Sequence, residues 1–264
     1  MSADPVAYRE RIFAAVLPAL ESAATVRGAW EGGSVATGRA DAFSDIDLCV
    51  VAEPANHEAV LDAVESALGN AAPIAHVWRV DPQPFPGVTQ RLFLLHDAPP
   101  FFALDCALVA PTACGQFLER ERHGEPRVLF DRDGSIRALP LDKAAHATRM
   151  QRRFAQIRAA WPVYRSLVDK ELARGRALDA FGFYVNGLLR PLIELVGMQE
   201  RPERFDFGWR YLHADLPPPL QRRLERLAYV DGPATLQENL ATVDRLAAEL
   251  FVALAHPPPM GGEA

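Results

Sequence analysis

The chain has 264 residues, of which 49% are hydrophobic and 23% are charged. This length and composition can fill one large or two modest cores, which excludes wholesale disorder. The formal net charge of −6 disfavours nucleic acid as a partner, because a protein that neutralises many phosphates shows a basic excess. A local basic patch stays open, since four arginines cluster in one stretch: Arg149, Arg152, Arg153 and Arg158.

Cysteine usage and apolar runs bear on the cellular compartment. Cys49, Cys106 and Cys114 are too few and too scattered for a disulfide framework or a CxxC zinc site. The first residues lack the basic segment and apolar core of a secretory signal. No apolar run approaches the roughly 20 residues that span a bilayer. These features predict a cytoplasmic protein without membrane contacts.

Hydrophobic periodicity in the first half of the chain alternates between helix and strand. Helical spacing predicts helices over residues 5–24 and 56–69. Short apolar runs, separated by prolines and glycines that suit turns, predict strands. The predicted strands are residues 26–30, 45–51, 74–80, 91–96, 101–109 and 128–130. This order predicts a β-sheet domain with flanking helices over residues 1–138.

Strand-like runs are absent from the second half, and helical patterns replace them. The predicted helices are residues 141–172, 177–198, 219–229 and 233–254. Pro191 is expected to kink the second of these or to lie at a break in it. We therefore predict a helical, substrate-binding domain over residues 139–256, followed by a loose tail at 257–264.

Two aspartates one residue apart, Asp45 and Asp47, form the first part of a candidate site. In a strand, alternate side chains share a face, so both carboxylates converge within a few ångströms. Adjacent carboxylates repel each other unless a cation lies between them. A hard divalent ion, chiefly Mg²⁺, suits these ligands and keeps positions open for substrate phosphates. A solvated strand edge is the alternative reading of the pair alone.

Two further features accompany this pair. Upstream, Gly33 and Ser34 supply a turn whose backbone can approach a phosphate, although GGSVATG lacks the lysine of a Walker loop. Downstream, Asp105 lies in the apolar run 101–109, where an unpartnered charge would be costly to bury. Placing Asp105 beside Asp45 and Asp47 around a metal removes that cost. A core aspartate paired with an arginine is the alternative for Asp105.

The order of these parts resembles the polymerase-β-type nucleotidyltransferase superfamily. The shared pattern is glycine-serine, ten intervening residues, aspartate–apolar–aspartate, and a later aspartate among apolar residues. The layout is most similar to small bacterial aminoglycoside nucleotidyltransferases with a C-terminal helical domain. The resemblance implies an α+β fold, in which a mixed β-sheet flanked by helices precedes an all-α helical bundle.

The same resemblance implies roles for individual residues. Gly33 and Ser34 would bind the nucleotide by holding its triphosphate. Asp45 and Asp47 would bind Mg²⁺ as metal ligands in the catalytic site. Asp105 would be the third catalytic carboxylate, which ligates metal or activates the acceptor hydroxyl.

The implied activity is transfer of a nucleoside monophosphate, foremost AMP, from ATP or another NTP to a hydroxyl of a small molecule. An aminoglycoside-like antibiotic is one such acceptor, and it would make the chain a resistance enzyme. Four acidic residues could attract a cationic acceptor: Glu171, Asp179, Glu194 and Asp206. The aromatic stretch 205–211 could close over the substrate. Two alternatives stay open, namely the same chemistry on a protein or RNA acceptor and a non-catalytic binding module.

Overall fold

The computed structural model describes residues 4–255 and divides into two compact units. The first unit ends at Leu141 and the second begins at Asp142, whereas the sequence prediction placed the boundary between residues 138 and 139. The predicted loose tail, residues 257–264, lies outside the described residues. Within the described part of the chain, no helix is both long enough and apolar enough to cross a bilayer.

The first unit is built on a six-stranded sheet with the order β3-β4-β5-β2-β1-β6. Its strands are β1 (Val26–Glu31), β2 (Ile46–Ala52), β3 (Ile74–Arg79), β4 (Val88–Leu95), β5 (Leu104–Val109) and β6 (Arg127–Asp131). Strands β2 and β5 are parallel, while the other neighbouring pairs are antiparallel. The sheet is therefore mixed, as predicted.

The helices of this unit are α1 (Pro5–Ser22), α2 (Gly33–Ala36), α3 (His57–Ala71) and α4 (Arg120–His123), with 3₁₀ turns at Pro54–Asn56 and Pro111–Phe117. At the start of α1, the carboxylate of Asp4 accepts a hydrogen bond from the Val6 N–H. Helices α1 and α3 bury apolar stripes in one core together with Ile46, Leu48 and Val50 of β2. Because strand side chains alternate, Asp47 and Cys49 point to the other face of the sheet.

Two predicted strands begin later in the structure than the sequence suggests. Strand β2 begins at Ile46 rather than Asp45, since the Ile46 N–H donates to the Ala103 carbonyl where pairing with β5 starts. Strand β5 begins at Leu104 rather than Phe101. Phe101 has a φ of 68°, which takes it out of the extended conformation. Asp45 therefore lies just before its strand and not within it.

The second unit is helical throughout its described part, as predicted. Its helices are α5 (Lys143–Ala173), α6 (Ala177–Phe183), α7 (Arg190–Glu200), α8 (Leu212–Asp215), α9 (Pro218–Ala228) and α10 (Pro233–Ala253), with a 3₁₀ turn at Pro202–Phe207. A π-helical segment, Tyr184–Leu189, joins α6 to α7, in whose first turn Pro191 lies. A proline cannot donate to the preceding turn, so it favours such an irregularity there.

Charged side chains in this unit form ion pairs that the sequence did not predict. Arg153, from the basic cluster, pairs with Glu194. Glu171 is buried and is approached by Arg174 at 2.9 Å and by Arg176 at 3.5 Å. Two of the acidic residues suggested to attract a cation are therefore already neutralised by arginine.

The aromatic stretch 205–211 is divided between core and surface. Phe205 and Phe207 are buried, whereas Trp209 is 43% exposed. Buried Arg201 holds this segment by donating to the carbonyls of Gly208 and Arg210, each at 2.6 Å. Closure of this segment over a substrate stays a prediction.

Replacing Tyr184 by phenylalanine tests the packing of the helical core. The Tyr184 hydroxyl is buried and donates to the Leu227 carbonyl at 2.7 Å. Because Tyr184→Phe removes this bond, we expect the free energy of unfolding in urea to fall by about 1–2 kcal/mol. Tyr229→Phe is the control, since Tyr229 is 80% exposed. An equal loss of unfolding free energy in Tyr184→Phe and Tyr229→Phe would show that the buried hydrogen bond does not stabilise the helical core.

Candidate active site

Asp47 and Asp105 lie side by side on the sheet face that α1 and α3 leave free. They are direct partners in the parallel pairing of β2 with β5. Neighbouring strands are about 4.8 Å apart, so the two carboxylates are within reach of one ligand. The alternating apolar residues Leu104, Cys106 and Leu108 fill the opposite core and fix the direction in which Asp105 points. The structure thus brings together two of the three predicted carboxylates.

Asp45 reaches the same place from the loop that precedes β2. Its Oδ1 accepts a hydrogen bond of 2.7 Å from the Ala103 N–H, just before β5. Its charge acts on both of the other carboxylates, because it contributes to raising the pKa of Asp47 and the pKa of Asp105. Asp45 therefore belongs to the same acidic cluster but is exposed, whereas Asp47 and Asp105 are half-buried.

A buried ion pair beneath the cluster holds the Asp45 loop, and sequence reasoning missed it. Arg9 of α1 donates to the carbonyls of Ser44 at 3.0 Å and Asp45 at 2.8 Å. The same guanidinium pairs with Glu31, which is fully buried and also meets Arg127 at 2.9 Å. Glu31 itself could have indicated this ion pair, because a carboxylate that directly follows the apolar residues of β1 needs a partner if it is buried.

Burial and repulsion between neighbouring carboxylates together raise the pKa values of Asp47 and Asp105. Burial, followed by the charges of Asp105, Asp45 and Glu31, raises the pKa of Asp47 to about 6, while Arg9 opposes the rise. Burial also raises the pKa of Asp105, and the charge of Asp45 adds to it. Each carboxylate therefore raises the cost of ionising its neighbour.

Gln90 also contacts the cluster, and sequence reasoning missed it. Its side-chain Nε2 donates to both oxygens of Asp105, at 2.7 and 2.8 Å. This hydrogen bond favours the ionised carboxylate and lowers the pKa of Asp105 against the effect of burial. Gln90 precedes the strand predicted at 91–96, so its position on the Asp105 face was not predictable from that strand.

The turn at Gly33 rests directly on Asp47. The Gly32 N–H donates to the Asp47 carbonyl at 2.9 Å, and Gly33 has a φ of +56°. A Cβ atom on Gly33 would lie 1.7 Å from the Asp47 Oδ2, so only glycine leaves room for this carboxylate. The adjacent Ser34 Oγ is buried and, among residues 4–255, has no hydrogen-bond partner. The predicted phosphate turn and the acidic cluster are thus in contact.

The donor set of this cluster fits a hard divalent cation, although its present geometry is not that of a closed metal site. The carboxylates are crowded, and a cation would relieve their mutual repulsion. Within the described residues, however, no group of three or more His, Cys, Asp or Glu side chains is arranged to hold a metal ion. Asp105 is engaged by Gln90 and Asp45 by a backbone N–H. The predicted three-carboxylate ligand set therefore stays a prediction.

Neutralising Asp47 should stabilise the protein when divalent ions are absent. The folded-state pKa of about 6 lies above the ordinary value of 3.8. Between these values the folded state keeps a proton that the unfolded state has lost, so stability falls as pH rises through the window. We expect Asp47→Asn to raise the free energy of unfolding at about pH 8 by about 1–3 kcal/mol, measured by urea denaturation in EDTA.

Two controls accompany this urea denaturation experiment. The advantage of Asp47→Asn should shrink as pH falls toward about 4, because the wild-type carboxyl is then protonated in the folded state and no longer repels its neighbours. Asp97→Asn changes an exposed aspartate and should alter stability by less than about 0.5 kcal/mol. A destabilised Asp47→Asn at about pH 8 would show that repulsion does not dominate at this position.

Comparison with known proteins adds an independent finding. Residues 15–84 match the family described as the nucleotidyltransferase domain. The matched segment runs from within α1 to just beyond β3 and contains Gly33, Ser34, Asp45 and Asp47. A search of curated proteins finds no match.

Among solved structures, the fold is similar to that of an aminoglycoside 6-adenyltransferase from Bacillus subtilis. The two share 15% sequence identity with a TM-score of 0.40, over 95% of this chain and 93% of the other. The domain match confirms the family predicted from the glycine-serine turn and the aspartate pair for residues 15–84, which form a nucleotidyltransferase domain.

Proposed function

We propose that the chain transfers a nucleoside monophosphate, foremost AMP, from an NTP to a hydroxyl of a small-molecule acceptor in a Mg²⁺-dependent reaction. The observation that carries this proposal is the contact between the Gly33 turn and Asp47, beside Asp105. A phosphate-binding turn, a cation-binding carboxylate and a potential base are what such a transfer requires at one place.

The triphosphate would bind at the Gly33 turn. The buried hydroxyl of Ser34 has an unfilled hydrogen-bonding capacity within residues 4–255 and can donate to a phosphate oxygen. Asp45 and Asp47 would hold the divalent ion, and substrate phosphates would complete its ligands. When bound, the ion supplies positive charge that offsets the charge of the triphosphate and of the acidic cluster.

Asp105 would act on the acceptor hydroxyl as general base. The acceptor oxygen forms a bond to the α-phosphorus, the bond from that phosphorus to pyrophosphate breaks, and the hydroxyl proton passes to Asp105. Burial raises the pKa of Asp105 above its ordinary value, which makes its carboxylate a stronger base. Gln90 keeps its carboxylate in one orientation through a hydrogen bond to both oxygens.

The net charge supports a small-molecule acceptor over RNA. At −6 the chain lacks the basic excess of proteins that grip many phosphates. Within the basic cluster of α5, the charge of Arg153 is balanced by Glu194. An aminoglycoside-like antibiotic is one member of the acceptor class that we propose.

Calorimetric titration tests nucleotide binding directly. ATP and GTP are titrated with Mg²⁺ into the wild type and into Asp45→Asn/Asp47→Asn. We expect metal-dependent binding that is weakened at least about tenfold in the double variant, because the cation loses both ligands. Equal binding by both proteins, or no binding by the folded wild type, would contradict the assignment of Asp45 and Asp47 as ligands of the nucleotide-bound cation. Pyrophosphate release in the presence of candidate acceptors then measures turnover.

Two glycine substitutions separate the Gly33 contact from general backbone strain. Gly33→Ala would force a Cβ onto the Asp47 carboxylate, whereas nothing lies within 4 Å of a Cβ on Gly38. Both glycines have positive φ, +56° and +68°, so both variants carry similar strain of about 1 kcal/mol. We expect Gly33→Ala to weaken Mg²⁺–ATP binding at least about tenfold and Gly38→Ala to change it little. Equal losses would assign the effect to strain alone.

A further inference from the structure

The face of the sheet that carries Asp105 continues over β4 and β3 as an open apolar surface. Trp78 is 54% exposed and Leu94 is 46% exposed, although both belong to regular strands. Leu92 lies between them and is half-buried. The opposite face of the same strands is packed, since Phe93 and Leu95 lie in the core with α1 and α3. We call Trp78, Leu92 and Leu94 the apolar strip.

The register of the sheet places this strip in line with the acidic cluster. Trp78 pairs with Leu92, Leu92 pairs with Asp105, and Asp105 pairs with Asp47. The four residues therefore form one row across four strands, with about 4.8 Å between strands. The Trp78 backbone lies about 10 Å from that of Asp105 and about 14 Å from that of Asp47.

The two ends of this row differ in what lies beside them. The Gly33 turn follows β1, which adjoins β2 on the side away from β5. The phosphate turn therefore contacts Asp47 from the β1 side, while the apolar strip extends from Asp105 in the opposite direction. A nucleotide held by the turn leaves the β4–β3 side of Asp105 open for a second reactant.

We infer that the apolar strip is the acceptor-binding surface and that Trp78 determines which acceptors bind. This inference rests on the proposed function. The acceptor carries a flat apolar face, the C–H face of a sugar-like ring, about 10 Å from the hydroxyl that reacts. Its flat face packs on the indole of Trp78 and on Leu92, and its hydroxyl extends to Asp105. Burying an exposed indole and two leucines against such a face is favourable.

Two observations favour this occupant over a second protein. The strip is continuous with Asp105 in strand register, which suits a ligand that must touch both. It is also small, comprising two exposed side chains and one half-buried one. A stable protein–protein interface usually buries about 800 Å² on each partner, far more than this strip offers.

Saturation-transfer NMR with two glucosides tests the inference on the full chain, with Mg²⁺ and a non-hydrolysable ATP analogue present. Phenyl β-D-glucopyranoside presents an aromatic ring and a sugar, whereas methyl β-D-glucopyranoside presents the sugar face alone. We expect the dissociation constants of both probes, which share the sugar face, to rise at least about fivefold in Trp78→Ala, because the stacking surface is lost. A rise for the phenyl glucoside alone would show that the strip takes an aromatic ring instead and would overturn the inference.

Tyr229→Ala is the matched control, because Tyr229 is also an exposed aromatic residue, at 80%, but belongs to the helical unit. Binding of both probes should be unchanged in this variant. Equal affinity in Trp78→Ala and the wild type, absence of binding by either probe, or a change only in oligomeric state would overturn the inference. Binding of the ATP analogue, followed in the same samples, should be unaffected by Trp78→Ala. Its absence in the wild type would instead count against the proposed function.

Discussion

The repulsion between Asp47 and Asp105 is the constraint on which the rest of the site depends. The two half-buried carboxylates are neighbours across a parallel strand pair, and Asp45 adds a third charge beside them. Burial and this crowding raise the pKa of Asp47 to about 6. Such an arrangement lowers stability unless a cation compensates for it, which is typical of functional sites. The fold holds the charges together because both strands are anchored by their opposite faces in the apolar core.

The surrounding residues maintain the cluster in distinct ways. Arg9 binds the backbone of the Asp45 loop and lowers the pKa of Asp47, while its own charge is balanced by buried Glu31. Gln90 orients Asp105 without adding charge. Gly33 allows the phosphate turn to rest against Asp47. The proposed phosphate-binding turn, the acidic pair and the proposed base therefore meet at the N-terminal ends of the central strands β2 and β5, with an open apolar face beside them.

Much of the fold could be predicted because hydrophobic periodicity reports which face of an element is buried. The alternation of Ile46, Leu48 and Val50 with Asp47 indicated a strand with one polar face. In the second half of the chain, apolar residues at helical spacing indicated the helical unit. The pairing of β2 with β5 could not be derived, since strand order depends on contacts distant in sequence. The cost of burying a lone carboxylate in the apolar run 101–109, together with the resemblance to a known family, suggested that Asp105 would join the aspartate pair.

The supporting residues were beyond prediction for specific reasons. Arg9 lies on a helix with charged neighbours, so its role depends on where α1 packs. Gln90 lies in the early part of β4, before the run predicted as a strand. The backbone of Phe101, with its positive φ, shortened a strand that its apolar sequence favoured. In each case tertiary contacts or backbone geometry decided what a local pattern could not.

The claim that repulsion between carboxylates creates the cation site is tested most directly by electron paramagnetic resonance of bound Mn²⁺. Free Mn²⁺ is measured during titration of the wild type, Asp47→Asn and Asp97→Asn, with and without ATP. The account predicts that ATP strengthens Mn²⁺ binding to the wild type and to Asp97→Asn, beyond the binding of Mn²⁺ to ATP alone. It predicts that Asp47→Asn loses this strengthening while remaining folded. Undiminished Mn²⁺ binding by Asp47→Asn in the presence of ATP would contradict the central claim.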